Sequence, residues 1–112
     1  MPHELERFRQ LLLDLGRERG DALAVEGDTE RFTYKQVLAE VWLRAKALSA
    51  HPPGVLALAL DNGPELLFWD LAALVSERAC VIVPTFFSKA QVHHCIEQCG
   101  ASLVLCQPVW EG

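Results

Sequence analysis

Two short, uninterrupted apolar runs flank a segment with helical periodicity in the middle of the chain. Residues 55–60 read Val-Leu-Ala-Leu-Ala-Leu, residues 80–84 read Cys-Val-Ile-Val-Pro, and apolar positions between them recur at helical spacing. Continuous apolar runs of this length are typical of strands buried on both faces of a parallel sheet. The pattern predicts a strand, a crossover helix over about Pro64–Arg78 and a second strand.

The pattern on the N-terminal side predicts an amphipathic helix and a hairpin. From His3 to Arg19, apolar residues recur at spacings of three and four, which places them on one helical face. Residues 26–29, Glu-Gly-Asp-Thr, favour a turn. Leu23–Glu26 is therefore predicted to pair with Glu30–Phe32.

Two further helices carry the same N-terminal signature. Thr33 is followed three residues later by Gln36, and Ser88 is followed in the same way by Gln91. In such a capping box the hydroxyl accepts a hydrogen bond from the backbone at the third helical residue, whose side chain reaches back to the cap. We predict that helices begin at both places.

The first of these helices shows a buried stripe and a solvent face in the apolar pattern. Its predicted buried residues are Val37, Leu38, Val41, Trp42, Ala45 and Leu48. Its predicted solvent-facing residues are Lys35, Glu40, Arg44 and Lys46. The two prolines in residues 51–54 are expected to end it, and Gly100 to end the Ser88 helix before a strand over Ser102–Cys106.

The order of elements after the hairpin alternates between helix and strand. Such alternation is typical of parallel strands joined by right-handed crossovers. We predict an α/β fold with a layered, mostly parallel sheet from consecutive βαβ units, a small N-terminal β-hairpin and an N-terminal amphipathic helix. The expected organisation is one α/β lobe over residues 1–112, with the helix at 1–20, a core at 21–106 and a tail at 107–112.

Composition narrows the class of protein. The chain has 112 residues, 51% of them hydrophobic, and a net charge of −5 with no run of Lys or Arg, so nucleic-acid binding has no electrostatic support. No apolar stretch approaches the ~20 residues that span a bilayer. Met1–Glu4 lacks the apolar core of a secretion signal. We expect a cytoplasmic protein without a membrane span.

The late cysteines and two adjacent histidines are the most tempting candidates for a metal site. Cys95 and Cys99 are one helical turn apart, next to His93 and His94, and zinc takes such ligands. A complete site would need Cys106 as well, because zinc sites usually bring ligands from two elements. The favoured alternative is that the histidines are exposed and the cysteines are reduced and buried in the core.

Cys80 and Cys106 fall in predicted strands that could be neighbours, which would allow a close approach. A disulfide is disfavoured in a reducing compartment, and a reactive thiol needs a cationic, partly open setting. We predict that both are packed and inert.

Asp61 and Asn62 follow the first buried strand, at the end where α/β folds bind ligands. The favoured alternative is that they form the turn and cap of the next helix. Asp70 interrupts an apolar helix face, either as a solvent-facing residue or as a structural hydrogen-bonding partner.

Ser76 with His51 or His94 could be imagined as a nucleophile pair, but no nucleophile-elbow sequence surrounds it. Phe86 and Phe87 are interpreted as packing anchors rather than substrate contacts.

The ordered series of segments, with its gaps, resembles the start of the adenylate-forming enzymes: acyl-CoA synthetases, luciferases and the adenylation domains of peptide synthetases. The resemblance covers roughly residues 20–106. It rests on residues 24–34, 54–60, 62–65, 70–74, 80–84, the Ser88 helix and residues 100–105.

The resemblance implies activation of a carboxylic acid by ATP and magnesium to an acyl adenylate, followed by transfer to the thiol of coenzyme A or a carrier-protein phosphopantetheine. The apolar helix and the Pro-Thr-Phe-Phe-Ser segment at 84–88 favour the fatty-acid ligase side, and hence fatty acid metabolism. The family's phosphate loop, magnesium acid, ribose Asp and C-terminal Lys match no position here. No catalytic, cofactor-binding or metal residue is therefore carried over.

The chain is thus expected to be an N-terminal structural fragment of such a ligase, inactive alone. One alternative is a free-standing interaction module derived from that lobe, and a weaker one is a small enzyme using Cys95 and Cys99 or the Asn62 turn. A lobe of this kind should expose an apolar patch or an open sheet edge. The expected partner is the remainder of the ligase or a second copy, with the Pro108–Trp110 tail involved.

Overall fold

The protein is described here by a computed structural model that covers residues 2–106, with side chains from residue 4. The tail predicted at 107–112 lies outside these residues. The elements in chain order are α1 (Pro2–Glu18), β1 (Leu23–Glu26), β2 (Arg31–Thr33), α2 (Tyr34–Leu48), β3 (Val55–Ala59), α3 (Pro64–Val75), β4 (Cys80–Ile82), α4 (Lys89–Cys99) and β5 (Ala101–Cys106).

The sheet topology confirms the predicted α/β fold. β3 lies at the centre of a parallel sheet in the order β4-β3-β5, with Leu56 opposite Cys80 and Leu58 opposite Leu105. α3 connects β3 to β4, and α4 carries the chain from β4 across β3 to β5. β1 and β2 form the predicted antiparallel hairpin, with Glu26 opposite Arg31.

Two apolar clusters cover the two faces of the central strand. Leu56 and Leu58 pack with α2 and α3 in the larger cluster, while Ala57 and Ala59 pack with Val92 of α4 on the opposite face. All four strand residues are essentially inaccessible to solvent. An uninterrupted apolar sequence fits a strand whose two faces are both covered by other elements.

Both predicted capping boxes are present. The Thr33 hydroxyl accepts from the Gln36 backbone at 3.2 Å, and the Gln36 side chain accepts from the Thr33 backbone at 2.9 Å. Ser88 and Gln91 make the same pair of bonds at 3.2 and 2.8 Å. Gly100 ends α4 in the left-handed conformation, with φ of 66°, as glycine permits.

The predicted end of α3 near Arg78 is three residues too late. The helix ends at Val75, and Glu77 takes a left-handed φ of 57°. The reversal brings Arg78 back to the end of α2, where its guanidinium donates to four backbone oxygens. These acceptors are Pro52 at 3.0 Å, Leu48 at 3.2 Å, and His51 and Gly54 at 3.3 Å each.

The predicted faces of α2 need two corrections. Trp42, assigned to the buried stripe, is 38% exposed, whereas the side chain of Arg44, assigned to the solvent face, is only 14% exposed. The buried residues Val37, Val41 and Leu48 define a stripe at spacings of four and seven. Arg44 falls on that same stripe, seven residues after Val37. Its position on the helix therefore explains why its side chain is largely buried despite its charge.

Candidate functional site

The turn at the C-terminal end of β3 forms one wall of an open cleft. Asp61 and Asn62 are exposed there, just before α3. The hairpin turn forms the other wall and sits close to the helix, since a Cβ on Gly27 would lie 2.8 Å from Pro64 Cγ. The cleft has a volume of about 450 Å³ and is lined by Val25, Glu26, Gly27, Asp28, Asn62, Gly63, Pro64 and Leu67.

The charges around this cleft do not suit a nucleotide triphosphate. Glu26 and Asp28 are acidic, and no Lys or Arg is among the lining residues just named. Glu26 is paired with Arg31 at 3.3 Å on the hairpin itself. The N-terminus of α3 would favour an anion, but the two carboxylates oppose it. These residues therefore do not fit ATP, and the turn is better explained as a structural joint.

The Arg44 side chain joins α2 to α3 through hydrogen bonds, ion pairs and ring contacts. Its Nη1 donates to Glu40 Oε1 at 2.6 Å, and its Nε and Nη2 donate to the Glu65 carboxylate at 2.7 and 2.9 Å. The guanidinium also lies over the Phe68 and Trp69 rings, 5.0 and 5.6 Å from their centroids. A planar guanidinium can make the two-pronged bond and the ring contacts together.

The environment of Arg44 explains both its charge state and its role. Burial alone would lower the pKa of the guanidinium, but the hydrogen bonds and charges of Glu65 and Glu40 outweigh it and raise that pKa above its ordinary value. Because Glu65 is in the first turn of α3, the network fixes the start of α3 against the middle of α2. The hydropathy pattern did not predict this role of Arg44, because its sign in the sequence was a cationic residue at a position on the buried stripe of α2.

The histidine and cysteine cluster on α4 does not assemble into a metal site. His93 and His94 are exposed, whereas Cys95 and Cys99 are half-buried, and Cys99 Sγ lies 3.5 Å from the Ile96 carbonyl oxygen. Across residues 2–106, no three His, Cys, Asp or Glu side chains converge as a metal-binding group.

The predicted proximity of Cys80 and Cys106 is wrong. β3 lies between their strands, with Cys80 opposite Leu56 and Cys106 opposite Ala59, near the other end of the strand. The prediction that the cysteines are buried is also wrong in part, because Cys106 is exposed and the other three are half-buried. Edge strands of a three-stranded sheet cannot bury their residues as β3 does.

We expect the four thiols to react in an order set by exposure and ionisation. Burial, and then the negative charge of Asp70, raise the pKa of the Cys80 thiol from 9.0 to about 11, so it stays protonated near neutral pH. Alkylation of the folded chain near neutral pH, followed by peptide mass spectrometry, should label Cys106 first and Cys80 last. Labelling in denaturant is the control, in which the difference should vanish. Equal rates in the folded chain would contradict this assignment.

The remaining candidates are dispersed over the fold. Ser76 is the C-cap residue of α3, and in the described chain no hydrogen bond joins it to His51 or His94. Phe87 packs against the smaller cluster, as an anchor should, but Phe86 is 84% exposed and meets the Phe87 ring edge-on, with 5.4 Å between the ring centroids. The interpretation of Phe86 as buried packing is therefore wrong.

The sequence matches the family model for AMP-binding enzymes over residues 14–111, nearly the whole chain. The chain belongs to the AMP-binding enzyme family. This confirms the resemblance to adenylate-forming enzymes that the ordered segments indicated. A search among curated proteins found no match.

Solved structures of AMP-binding enzymes share the fold. O-succinylbenzoate coenzyme A synthetase (MenE) from Bacillus subtilis, in complex with AMP, matches with a TM-score of 0.81 at 19% identity, over 89% of this chain and 27% of that one. A benzoate CoA ligase from Burkholderia xenovorans matches with 0.76 at 23%, over 92% and 22%. The NpsA N-terminal subdomain from Klebsiella oxytoca matches with 0.79 at 17%, over 92% and 29%.

The chain thus spans between about a fifth and three-tenths of the length of these three structures. At these identities, the likeness establishes the fold. Within the described residues, no helix is both long enough and apolar enough to cross a bilayer.

Proposed function

We propose that the chain is a structural lobe of an acid–thiol ligase that converts a carboxylic acid and ATP to an acyl adenylate and then to a thioester. The family match over residues 14–111 is the observation that carries this proposal. Two of the neighbours named above are a coenzyme A synthetase in complex with AMP and a benzoate CoA ligase, and their names support this choice of reaction.

In this proposal the chain supplies scaffold rather than chemistry. The cleft at the C-terminal end of β3 is lined by Glu26 and Asp28, whose carboxylates would oppose a phosphate. The best-built polar cluster of the chain, around Arg44, is occupied in joining α2 to α3. ATP, magnesium and the coenzyme A or phosphopantetheine thiol would be held by residues outside this chain, with β3 and its flanking helices forming part of the supporting sheet.

An ATP–pyrophosphate exchange assay tests whether the catalytic residues lie outside this chain. The 112-residue chain should show no exchange with any carboxylic acid, because the cleft at the end of β3 is lined by carboxylates and by no Lys or Arg that could hold the triphosphate. Exchange by this chain above a buffer control would contradict the proposal.

The coding frame provides the complementary test. If it continues past Gly112 into a Gly/Ser/Thr-rich loop ending in Lys, the extended product should catalyse exchange, and replacement of that Lys by Met should abolish it. A folded extended product that binds no nucleotide would overturn the ligase assignment.

Within this class, we propose a fatty acid as the substrate, on the basis of the apolar helix α3 and the Pro-Thr-Phe-Phe-Ser segment at residues 84–88. Phe86 is 84% exposed and offers an aromatic contact at the C-terminal side of β4. A panel of fatty acids and aryl acids tests this assignment in the extended product. Preference for aryl acids would overturn it while leaving the ligase reaction intact.

A second candidate function is that of a non-catalytic interaction module. The exposed apolar residues Ile82, Phe86 and Val104 favour it, because surfaces of this kind commonly mark contacts with other chains. A natural stop codon after Gly112, with an inactive and stably folded product, would favour this function over the ligase lobe.

A further inference from the structure

α1 bridges α2 and α3 and is packed less deeply than either helix. Near its C-terminal end, Gly16 lies so close to α2 that an added Cβ would overlap the side chain of Leu38. Near its N-terminal end, Phe8 lines a groove together with Leu74 of α3. No residue from 4 to 20 is buried, whereas α2 contains three buried residues and α3 contains four. Elements with few buried side chains are the ones that open most readily.

One polar side chain fastens α1 to the end of α3. The Arg9 guanidinium donates to the Val75 carbonyl oxygen through Nε, at 3.0 Å, and through Nη2. The last carbonyl groups of a helix have no partner within the helix. Here the amide groups of residues 76–78 donate to the carbonyl oxygens of residues 72–74, and Arg9 donates to that of Val75. A cation at this end of a helix is also favoured by the helix dipole.

The bond between Arg9 and Val75 stabilises the docked position of α1. Val75 is 6% exposed, so its carbonyl group would lose a hydrogen bond in a largely dry setting if the guanidinium were removed and α1 stayed in place. When α1 moves away, water can reach both groups instead. The bond therefore sets the balance between docked and open α1, without contributing to the contacts within the sheet or between α2 and α3.

Most of α1 precedes the segment that is shared with the family. The family model begins to match at residue 14, whereas Phe8, Arg9 and Leu12 come before it. Phe8 and Leu12 are half-buried against the larger cluster, whose buried members all lie between Val37 and Val75. The core that α2, α3 and the sheet have in common is therefore formed without α1, and about three turns of α1 are added to it from outside.

We propose that α1 is a strap that opens as a unit while residues 21–106 stay folded, with the bond from Arg9 to Val75 as its latch. In the closed form the strap covers one side of the larger cluster. In the open form it exposes the apolar surface around Leu38 and Leu74, so the latch controls access to that surface. The strap is held by contacts within this chain and does not depend on the ligase reaction.

Hydrogen exchange followed by mass spectrometry tests the latch with two matched variants. R9M removes the guanidinium that bonds to Val75. R7M is the control, because Arg7 is exposed on the same helix and, within the described residues, makes no hydrogen bond or ion pair. Arginine and methionine have similar helix propensities, so neither change weakens the helix itself.

In the wild-type chain, the amide groups of residues 5–18 should exchange at a lower opening free energy than those of α2 and α3. R9M should raise the opening equilibrium constant of that segment about tenfold to a hundredfold, since a hydrogen bond to a charged group is lost from the docked form alone. R9M should leave α2 and α3 unchanged, and R7M should change neither segment. Equal effects of R9M and R7M, or loss of the whole fold in R9M by circular dichroism, would overturn the proposal.

Low concentrations of urea distinguish the opening of α1 from unfolding of the whole chain. The urea dependence of an opening reaction increases with the surface that the reaction exposes. Exchange in α1 of the wild-type chain should therefore respond weakly to urea below the unfolding midpoint, whereas exchange in α2 and α3 should respond strongly. Equal opening free energies and equal urea slopes for α1 and α2 would mean that α1 leaves only when the whole chain unfolds, and the strap would be ruled out.

Discussion

Replacing Phe68 by alanine should destabilise the fold by about 3–5 kcal/mol, the usual range for deleting a buried aromatic ring. Phe68 is 2% exposed and belongs to the larger cluster. Its ring meets Phe32 of the hairpin edge-on, with centroids 4.9 Å apart and planes at 87°, and it also lies beneath the Arg44 guanidinium. One side chain thus joins α3 to the hairpin and to α2.

Urea unfolding followed by circular dichroism measures this loss. A domain of ordinary stability has about 5–15 kcal/mol in total, so F68A should unfold at much lower denaturant or lack a folded baseline altogether. L74A, on the same helix but 49% exposed, is the control and should cost less than about 1 kcal/mol. Similar midpoints for the two variants would show that the contacts around Phe68 are not the centre of the core.

Replacing Arg44 by methionine should cost about 1.5–3 kcal/mol, the range for a hydrogen bond to a charged group. The side chain is 14% exposed, whereas Glu40 and Glu65 are 37% and 54% exposed, so the carboxylates can return to water when the cation is removed. That solvation keeps the loss below the cost of breaking a fully buried ion pair. The loss should appear in thermal and urea unfolding.

Two further variants separate charge from geometry at this position. R44K keeps the charge but cannot make the two-pronged bond to Glu65, so it should recover only part of the lost stability. A double-mutant cycle of R44M with E65Q should then give a coupling free energy of at least about 0.5 kcal/mol. Full recovery by lysine, with no coupling, would mean that Arg44 acts as a surface charge despite its burial.

The elements were predictable from the sequence where one local signal decided them. β3 contains no polar residue and could only be a buried strand, and the hydroxyl–glutamine pairs at Thr33 and Ser88 marked both helix starts to the residue. The end of α3 was harder to predict because it depends on Arg78 reaching carbonyl groups about 24 to 30 positions away. No periodicity encodes such a contact.

The order of the strands in the sheet was the feature of the fold that was least predictable from the sequence. Alternating elements indicate that the strands are parallel, but not which strand lies at the centre. Placing β3 between β4 and β5 separates Cys80 from Cys106 and leaves Val104 and Ile82 at the edges, and these consequences come from long-range packing. The role of Arg44 was hidden for a related reason, since its partner Glu65 is on another helix.

The contacts of Arg78 bear on how the molecule opens. The loop after α2 contains two consecutive prolines and a glycine, and a single guanidinium at the approach to β4 holds the carbonyl groups on both sides of them. The loop can leave its place only if those bonds break. The loop and the strand should therefore unfold together. Amide protons near Gly54 and near Cys80 should then exchange with solvent at similar opening free energies, whereas a loop that frays independently of the sheet would exchange at a lower one.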